Sequence, residues 1–390
     1  MSQGGDGLWY GTLAGAPIDD AASPPPLPSS HPLPLMRHPL AYDGRLSELY
    51  QLFLRNLLLT IASGGIYYFW GKVRLRQYLW SRVTLDGHRF EFRGRGGEMF
   101  RGFLMILAGL TSWGILTTWL ELSMEGNALL LTGVITLVTW LLILYLAFVA
   151  QFSAQRYRLT RTFWRGIGGG MRGSSLVYGL KGLALTALLP ITLMQARPFA
   201  SLRLLEHRLN RVSLGDRPLV MTGCRAGKIY GRYFLGCLGT VVLSVVAVIV
   251  LGFAMRNEFA MSGGQFRNPV LVGIVIVAFY LFVLALSAWL MSGFWARYWN
   301  QAGDCIAWGQ ARIRISSTSG MFFQHRVVNF IAVLVTLGLA YPWALHRVTR
   351  YVSRSVEFYG DLDLTHLGQT TLTGAAIGEG MLNAFDPGFI

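Results

Sequence analysis

Three arginines recur at the same position of a repeated helix, and one helical turn later each is followed by an aromatic or imidazole side chain. The pairs are Arg74 with Tyr78, Arg203 with His207 and Arg347 with Tyr351. Residues four apart lie on one face of a helix, and a guanidinium forms charge-assisted hydrogen bonds to phosphate oxygens. This arginine stripe therefore predicts contact with the anionic headgroups of membrane lipids.

Ionisable and amide side chains also interrupt helices that are otherwise apolar. Arg55, Lys181 and Arg326 lie within or beside such helices, and Asn56 and Asn329 occupy two of the same helices. One interpretation is that the charges line a cavity and meet an anionic group. The other is that they extend to the nearby cytoplasmic surface, while the asparagines form hydrogen bonds between helices.

The candidate residues for a cavity or a lipid contact combine these two patterns. They are Arg55, Asn56, Arg74, Tyr78, Lys181, Arg203, Asn329, Arg347 and Tyr351.

Catalytic chemistry has little support in the sequence. Asp86, His88, Glu91 and Glu98 cluster along the chain, but a loop with acids and one histidine is typical of a solvated surface. The motifs G-x-S-x-G, H-E-x-x-H and G-x-x-x-x-G-K-[ST] do not occur. We therefore expect neither an enzyme nor a bound cofactor.

The cysteines point to no metal site and no disulfide framework. Cys224, Cys237 and Cys305 are odd in number, and none belongs to a C-x-x-C pair. We expect all three to be reduced thiols.

The arginine stripe belongs to an internal repeat. The stretch at residues 64–88, GGIYYFWGKVRLRQYLWSRVTLDGH, returns near the C-terminus as LGLAYPWALHRVTRYVSRSVEFYGD, and a degraded copy surrounds Pro198. In each copy an apolar helix runs through turn-prone residues into a polar helix suited to a membrane surface. In the first copy Phe90 and Phe92 follow with the alternation of a short strand.

Composition identifies an integral membrane protein. Of 390 residues, 53% are hydrophobic and only 14% are charged, with a mean hydropathy of +0.44, whereas soluble domains carry about a quarter charged residues. Four uncharged runs exceed the roughly 18 residues that cross a bilayer core. They are residues 102–120, 126–155, 233–255 and 268–296.

Three further apolar helices, in the runs 56–71, 182–196 and 327–345, are short or interrupted. Lys and Arg crowd residues 72–101, 156–172, 197–232 and 297–314, whereas residues 121–127 hold two glutamates and no basic residue. The positive-inside rule places the basic segments in the cytoplasm. The helix between Arg172 and Arg197 then has cytoplasmic flanks at both ends, which favours re-entrant hairpins for all three. The alternative is that they span and locally break the rule.

The predicted fold is an all-α integral membrane protein with four transmembrane helices in two hairpins and three shorter repeat helices. Residues 1–40 form a disordered, Pro-rich tail on the cytoplasmic side, and residues 368–390 form the C-terminal tail. Between them lie repeat unit 1 at residues 41–172, repeat unit 2 at 173–317 and half repeat 3 at 318–367. Each full unit contains a broken helix, a basic interfacial helix and a transmembrane hairpin.

The net charge of +15 bears on the choice of partner. Because the basic residues flank apolar helices, they are orientation signals and contacts for anionic lipid headgroups rather than a nucleic-acid surface. Whether the chain forms a homo-oligomer stays open.

Residues 44–96, GRLSELYQLFLRNLLLTIASGGIYYFWGKVRLRQYLWSRVTLDGHRFEFRGRG, resemble the opening module of the YjgN-like family of bacterial inner-membrane proteins, a domain family of unknown function. That module reads as an E-L-F-like start, an L-L-T-x-G-I-Y-x-P-W core, spaced arginines and a terminal G-x-x-F. The resemblance extends to about residue 367 and includes YRLTRTFWRG and ARYWN, although Phe69 stands where the family usually has proline. It implies a multi-pass protein of the bacterial inner (plasma) membrane and supplies no substrate.

Two function classes fit these patterns. Repeated modules with broken helices and charges near the break are typical of transporters, so we expect a transporter or channel-like protein for an anionic or lipidic solute. The alternative is a membrane scaffold or lipid-interacting structural protein without a pathway. An enzyme acting on lipid ranks third, since it would need acid–base pairs around His88.

Overall fold

The computed structural model describes residues 37–123, 128–261 and 268–360, in which pairs of helices alternate with short strands. The strands are β1 Arg37–Tyr42, β2 Val83–Leu85, β3 His88–Phe92, β4 Thr162–Trp164, β5 Ile167–Met171, β6 Val212–Leu214, β7 Arg217–Met221, β8 Ile306–Trp308, β9 Ala311–Ile315 and β10 Val356–Tyr359. The helices are α1 Leu46–Ala62, α2 Tyr68–Ser81, α3 Gly96–Ser123, α4 Ala128–Thr160, α5 Ser175–Ile191, α6 Arg197–Leu209, α7 Gly227–Met261, α8 Pro269–Asp304, α9 Ser319–Phe323, α10 Asn329–Val335 and α11 Tyr341–Ser355, with a π-helical turn Gln324–Val328 between α9 and α10.

The ten strands form one closed antiparallel barrel. Each strand pairs with the next along the chain, and β10 pairs with β1 to complete the ring. Side chains from neighbouring strands meet inside the barrel, where Leu85, Trp164, Trp308 and Ala311 are all buried. Because aromatic and aliphatic groups occupy this space, the barrel is a packed core.

Four two-residue loops join consecutive strands of the barrel. Asp86 and Gly87 both have positive φ, 51° and 77°, and so do Arg165 and Gly166, at 53° and 78°. Positive φ at both central residues is the signature of the turn that matches the twist of a two-stranded hairpin. These two loops therefore fix the register of β2 with β3 and of β4 with β5.

The barrel corrects the prediction of an all-α protein, which is wrong. Several strands have only three residues, and β5 reads IGGGM. Such segments are too short to show the alternation of polar and apolar residues by which a strand is predicted. The short strands also lie within the basic segments that the sequence indicated as cytoplasmic flanks.

Between consecutive strand pairs the chain makes five helical hairpins, each of which leaves the barrel and returns to it. Three are short, namely α1/α2, α5/α6 and α9–α11, and two are long, namely α3/α4 and α7/α8. Residues 41–172 and 173–317 each contain one short and one long hairpin, and residues 318–360 contain the last short one.

One backbone hydrogen bond closes the base of every helical hairpin. In each case the N–H of the residue after one strand donates to the carbonyl of the residue before the next strand. The five bonds are Asp43 to Arg82, Arg93 to Arg161, Arg172 to Arg211, Thr222 to Cys305 and Ser316 to Ser355, at 2.8–3.2 Å.

Side chains reinforce these bases. In the first hairpin the Glu48 carboxylate accepts from the Tyr78 hydroxyl at 3.1 Å and from Arg82 at 2.7 Å. In the second, Glu98 accepts from Tyr157 at 2.9 Å and from Arg161 at 2.6 Å. An equivalent carboxylate, tyrosine and arginine thus tie together the two ends of these two hairpins.

A disulfide stands at the corresponding place of the fourth hairpin. Cys305 directly precedes β8, as Arg82 precedes β2, and it is bonded to Cys224 beside the start of α7. The prediction of three reduced thiols is therefore wrong for this pair, whereas Cys237 is free. The sequence separation of 81 between the two cysteines conceals that α7 and α8 bring them together.

Four helices are long and apolar enough to cross a membrane, which confirms the predicted spans. They cover Gly96–Ser123, Thr132–Thr160, Gly227–Phe259 and Val270–Asp304, and at most 11% of each apolar window is buried within the chain. The buried core lies instead in the barrel and the hairpin bases. The spans therefore present most of their surface to lipid or to another chain.

The two predicted tails fall largely outside the described residues. Residues 1–36 and 361–390 are not described, nor are residues 124–127 of the acidic turn. The end of the predicted N-terminal tail differs from expectation, because Arg37–Tyr42 form β1.

Replacing the base carboxylate should loosen the first hairpin. We expect Glu48→Gln to cost about 1–2 kcal/mol, because a half-buried Arg82 loses its charged acceptor. The measurement is the thermal unfolding midpoint of the full chain in detergent. Glu91→Gln is the matched control, since the exposed Glu91–Arg93 pair should contribute less than about 0.5 kcal/mol. Equal shifts in the two variants would contradict a special role for the base.

Candidate lipid interface

The tips of the three short hairpins share one turn. A hydroxyl at the end of the first helix accepts a hydrogen bond from the backbone N–H four residues later. The three bonds are Ser63 from Tyr67 at 2.9 Å, Thr192 from Ala196 at 3.0 Å and Thr336 from Ala340 at 2.8 Å. In each copy the two residues that directly follow the hydroxyl-bearing residue have positive φ, as Gly64 and Gly65 do in the first. This compact turn reverses the chain between the helices of each short hairpin, and Pro190 lies before it, inside α5.

Large apolar side chains project from these tips. Leu337 is 94% exposed, Leu193 is 82% exposed and Ile66 is 53% exposed. Isolated exposed apolar residues are ordinary, but the same feature at three equivalent turns is not scattered. Each of the three tips therefore presents apolar surface that water would solvate poorly.

The depth of the second short hairpin follows from its contact with the span α4. Gly179 and Gly182 of α5 pack against Tyr145, Phe148 and Val149 of α4 so closely that a Cβ on Gly182 would lie 2.4 Å from the Phe148 ring. From Gly182 to the end of α5 the helix rises about 14 Å. The tip therefore lies beside the middle of the uncharged run 126–155 of α4.

The arginines of the stripe stack on aromatic side chains near the tips. Arg74 lies over Tyr67, with its guanidinium carbon 5.6 Å from the ring centroid, and Arg203 lies over Phe199 at 5.4 Å. Both arginines are exposed. Arg347 differs, because it is half-buried over Trp343 at 4.6 Å and donates to the Asn329 side chain at 3.2 Å.

The stripe's tyrosines form hydrogen bonds at the hairpin bases. The Tyr78 hydroxyl belongs to the base cluster around Glu48, and that of Tyr351 bonds to Ser317 at the base of the last hairpin. Tyr157 in the second hairpin and Gln301 in the fourth occupy the same position, five residues before a strand. The repeat therefore has five copies of this residue, of which the sequence identified three.

The polar residues inside the short apolar helices divide into two groups. Asn56 donates to the carbonyl of Gly71 and Asn329 to that of Ala344, so both buried amides link the two helices of their hairpins. Arg55 and Lys181 are exposed, and Lys181 reaches the ring of a histidine on the paired helix. These four residues belong to three different hairpins and line neither of the cavities described below.

A cavity of about 290 Å³ lies between α2, α11 and the end of α4. Lys72, Arg76 and Arg158 contribute its charges, and most of the remaining wall is apolar. Leu40 and Phe90 of the barrel belong both to this wall and to the packed barrel interior. The cavity therefore ends where the filled barrel begins.

The histidine of the stripe is held in its neutral form. Burial, followed by the charges of Arg211 and Lys181, lowers the pKa of His207 to about 4, and the Lys181 ammonium donates to its Nδ1 across 3.2 Å. Burial, with Arg347 adding to it, also lowers the pKa of His325. Within the described residues no group of three histidine, cysteine, aspartate or glutamate side chains could hold a metal ion.

Four membrane-length helices and three apolar-tipped hairpins on a closed barrel define a multi-pass membrane protein. The family described as "Bacterial protein of unknown function (DUF898)" matches residues 37–384, and the chain belongs to it. The chain is 23% identical to inner membrane protein YjgN of Salmonella typhimurium in an alignment of 370 residues. The alignment covers 85% of this chain and 90% of the relative. Its identity to inner membrane protein YjgN of Escherichia coli O157:H7 is 29% over 70 residues, or 18% of each chain. No solved structure matches it significantly.

The close contact between α4 and α5 gives a test of how the second short hairpin is held. Gly182→Ala should cost about 1–3 kcal/mol, because the new methyl group overlaps the Phe148 ring. Gly114→Ala in α3 meets open space and should be neutral or stabilising by up to about 1 kcal/mol. Thermal unfolding of both variants in the same detergent decides the matter, and a neutral Gly182→Ala would contradict the packing.

The neutral histidine should make stability depend on pH. Since the pKa of His207 is about 4 in the folded chain and about 6.5 in an unfolded one, the unfolded chain binds more protons between these values. Stability should therefore fall as the pH drops from about 6.5 to 4. We expect His207→Gln to lose up to about 1 kcal/mol less than the wild type over that range, because solvent screens this half-buried ring. The prediction would be wrong if the wild type and His207→Gln lost the same stability between pH 7 and pH 4.5, as measured by their unfolding curves.

Proposed function

We propose that this protein is a scaffold of the bacterial inner membrane that engages lipid through half-inserted hairpins and encloses no transport pathway. The observation that carries the proposal is the set of three helical hairpins that begin and end at the barrel and expose Ile66, Leu193 and Leu337 at their tips. Apolar side chains at such tips are stabilised by entering hydrocarbon.

The same geometry favours re-entrant insertion over spanning. Both ends of each short hairpin are fixed at adjacent strands, so its tip is its deepest point, and α1 and α5 have only 17 residues each, fewer than the roughly 20 that cross a bilayer core. The backbone that reverses direction at each tip carries its own hydrogen bonds through Ser63, Thr192 and Thr336. Such satisfied backbone lowers the cost of burying a turn at membrane depth.

The basic residues orient the barrel toward the cytoplasm. Arginines surround the hairpin bases, as at Arg82, Arg161 and Arg211, whereas the start of α4 near the opposite ends of the spans is uncharged. The N-terminal strand β1 belongs to the same barrel, so the chain enters from the cytoplasmic side.

This orientation places the Cys224–Cys305 bond in a compartment where disulfides are rare. The base of the fourth hairpin does not depend on it. Thr222 and Cys305 share a backbone hydrogen bond, and the Gln301 side chain donates to the Arg225 carbonyl at 2.6 Å.

The sequence favoured transport, but no feature of the described residues supports transport over a scaffold. A pathway along the barrel axis would cross Trp164 and Trp308, whose rings lie 6.5 Å apart in an edge-to-face contact. Charged candidates such as Arg55 and Lys181 lie exposed on separate hairpins. A packed interior of this kind is the feature expected of a scaffold.

Membrane depth of the tips tests the proposal. The native cysteines are replaced with serine, and single cysteines at Ile66, Leu193 or Leu337 carry a bimane label in bilayers that contain nitroxide lipids. We expect the strongest quenching from nitroxides placed along the acyl chains. Matched labels at the exposed Ser47 and Ser174, near the hairpin bases, should instead respond to aqueous iodide.

The accessibility of the same single cysteines in intact cells is the second part of the test. An impermeant thiol reagent should modify the Ser47 and Ser174 cysteines only after the membrane is opened, and should spare the tips in both cases. Modification of a tip from outside intact cells would show that its helices span. Tip labels that iodide quenches as strongly as the base labels would show that the tips lie in water, and either result would refute the scaffold.

A further inference from the structure

A second cavity, of about 540 Å³, lies between α2 and the beginning of the span α3. Arg74, Gln77 and Trp70 line it from α2, and Arg95 and Arg101 line it from the chain that leads into α3. We name it the α2/α3 pocket. Because α3 is a candidate span, the pocket lies where that helix leaves the membrane, at the level of the lipid headgroups.

Positive charge dominates the α2/α3 pocket. Its single acid, Glu98, already accepts hydrogen bonds from Arg161 and from the Tyr157 hydroxyl at the hairpin base. Elsewhere in the chain arginines near an acid form ion pairs, as Arg82 does with Glu48. In the described parts of the chain, no carboxylate lies within ion-pair distance of Arg74, Arg95 or Arg101.

Glycines give the pocket its shape. Gly96 lies so close to α2 that a Cβ would be 2.7 Å from the Trp70 ring, which holds the start of α3 against that helix. Gly97, the next residue, faces open space, where a Cβ would have no neighbouring atom within 4 Å. A side chain at Gly97 would therefore project into the pocket without disturbing a neighbour.

Apolar surface continues from the pocket toward the membrane. Leu104 follows Arg101 by about one helical turn and is 44% exposed, and Leu107 another turn along is 47% exposed. A ligand with a charged head and long hydrocarbon tails fits this succession. A small soluble phosphate would leave the apolar part unused.

We propose that the α2/α3 pocket binds the phosphate group of an anionic glycerophospholipid, with the acyl chains lying along α3. Three guanidinium groups supply charge-assisted hydrogen bonds to the phosphate oxygens, and the exposed leucines cover the first part of the tails. The assignment rests on the proposed function in one respect, since it needs α3 to enter the membrane beside this pocket.

Lipid binding to the purified full chain tests the site. Native mass spectrometry measures binding of phosphatidylglycerol to the wild type, to Arg74→Gln/Arg95→Gln/Arg101→Gln and to Gly97→Leu, all in detergent micelles. The control is Arg172→Gln/Arg350→Gln/Arg354→Gln, which removes the same charge from exposed arginines of other hairpins. We expect the pocket triple variant to bind roughly tenfold or more weakly, Gly97→Leu to bind weakly as well, and the control to match the wild type.

Three results would overturn the assignment. Equal loss in the two triple variants would show that overall charge attracts the lipid, and unchanged binding in Gly97→Leu would place the lipid elsewhere. Displacement of the lipid by an equal concentration of sn-glycerol 3-phosphate would show a site for soluble phosphate esters. Because Gly97→Leu keeps every charge, it tests the pocket even if the triple variant unfolds.

The outcomes separate this inference from the proposed function. The depth labels at Ile66, Leu193 and Leu337 lie outside the pocket and need none of its arginines. Tips in water together with specific lipid binding would refute the scaffold and leave the pocket. Tips at membrane depth together with a pocket that binds no lipid would support the scaffold and refute the pocket.

Discussion

Closure of the five hairpin bases is the constraint on which the rest of this structure depends. At each base a backbone hydrogen bond joins the residue after one strand to the residue before the next, as between Asp43 and Arg82. That bond keeps adjacent strands in register, so the barrel can close, and it sends both helices of a hairpin away from the barrel side by side. Short and long hairpins alike begin and end at adjacent strands because their ends are fixed in this way.

The same requirement is met by different chemistry in different hairpins. Two bases use a half-buried carboxylate with a tyrosine and an arginine, centred on Glu48 and Glu98. The fourth hairpin carries the Cys224–Cys305 bond beside a hydrogen bond from Gln301 to the Arg225 carbonyl, and the last uses Ser317 with Tyr351. Position in the fold is retained although the interaction changes, which is why residue identity alone reveals only part of the repeat.

Much of the membrane architecture follows from the sequence. Long uncharged runs predict the four spans because a bilayer imposes a length that few other environments require. The turn-prone residues of the repeat, among them Gly64 in the first copy and Gly338 in the last, lie in the turns between the helices of two short hairpins. The barrel is missed because three-residue strands carry almost no periodic signal, although the loop Asp86-Gly87 flanked by Leu85 and a strand is a recognised hairpin signature.

The site shows a different limit. Spacing places Arg74 and Tyr78 on one face of α2, but it cannot tell which end of that face meets lipid and which meets the barrel. The structure separates them, since Arg74 lies in the α2/α3 pocket and Tyr78 bonds at the base. Arg95 and Arg101 escape notice because they lie on another element, and only folding brings them opposite α2.

Barrel closure through the first and last strands has a consequence for synthesis. β1 begins at Arg37, and its partner β10 ends at Tyr359, so almost the whole chain must leave the ribosome before the ring can be completed. Until then β1 presents an unpaired edge of the kind that recruits other strands. The four spans enter the bilayer during this interval, and they hold the growing chain at the membrane while that edge of β1 remains unpaired. Nascent chains truncated before Val356 therefore carry apolar helices and an open sheet, and unpaired strand edges make such incomplete chains prone to aggregate.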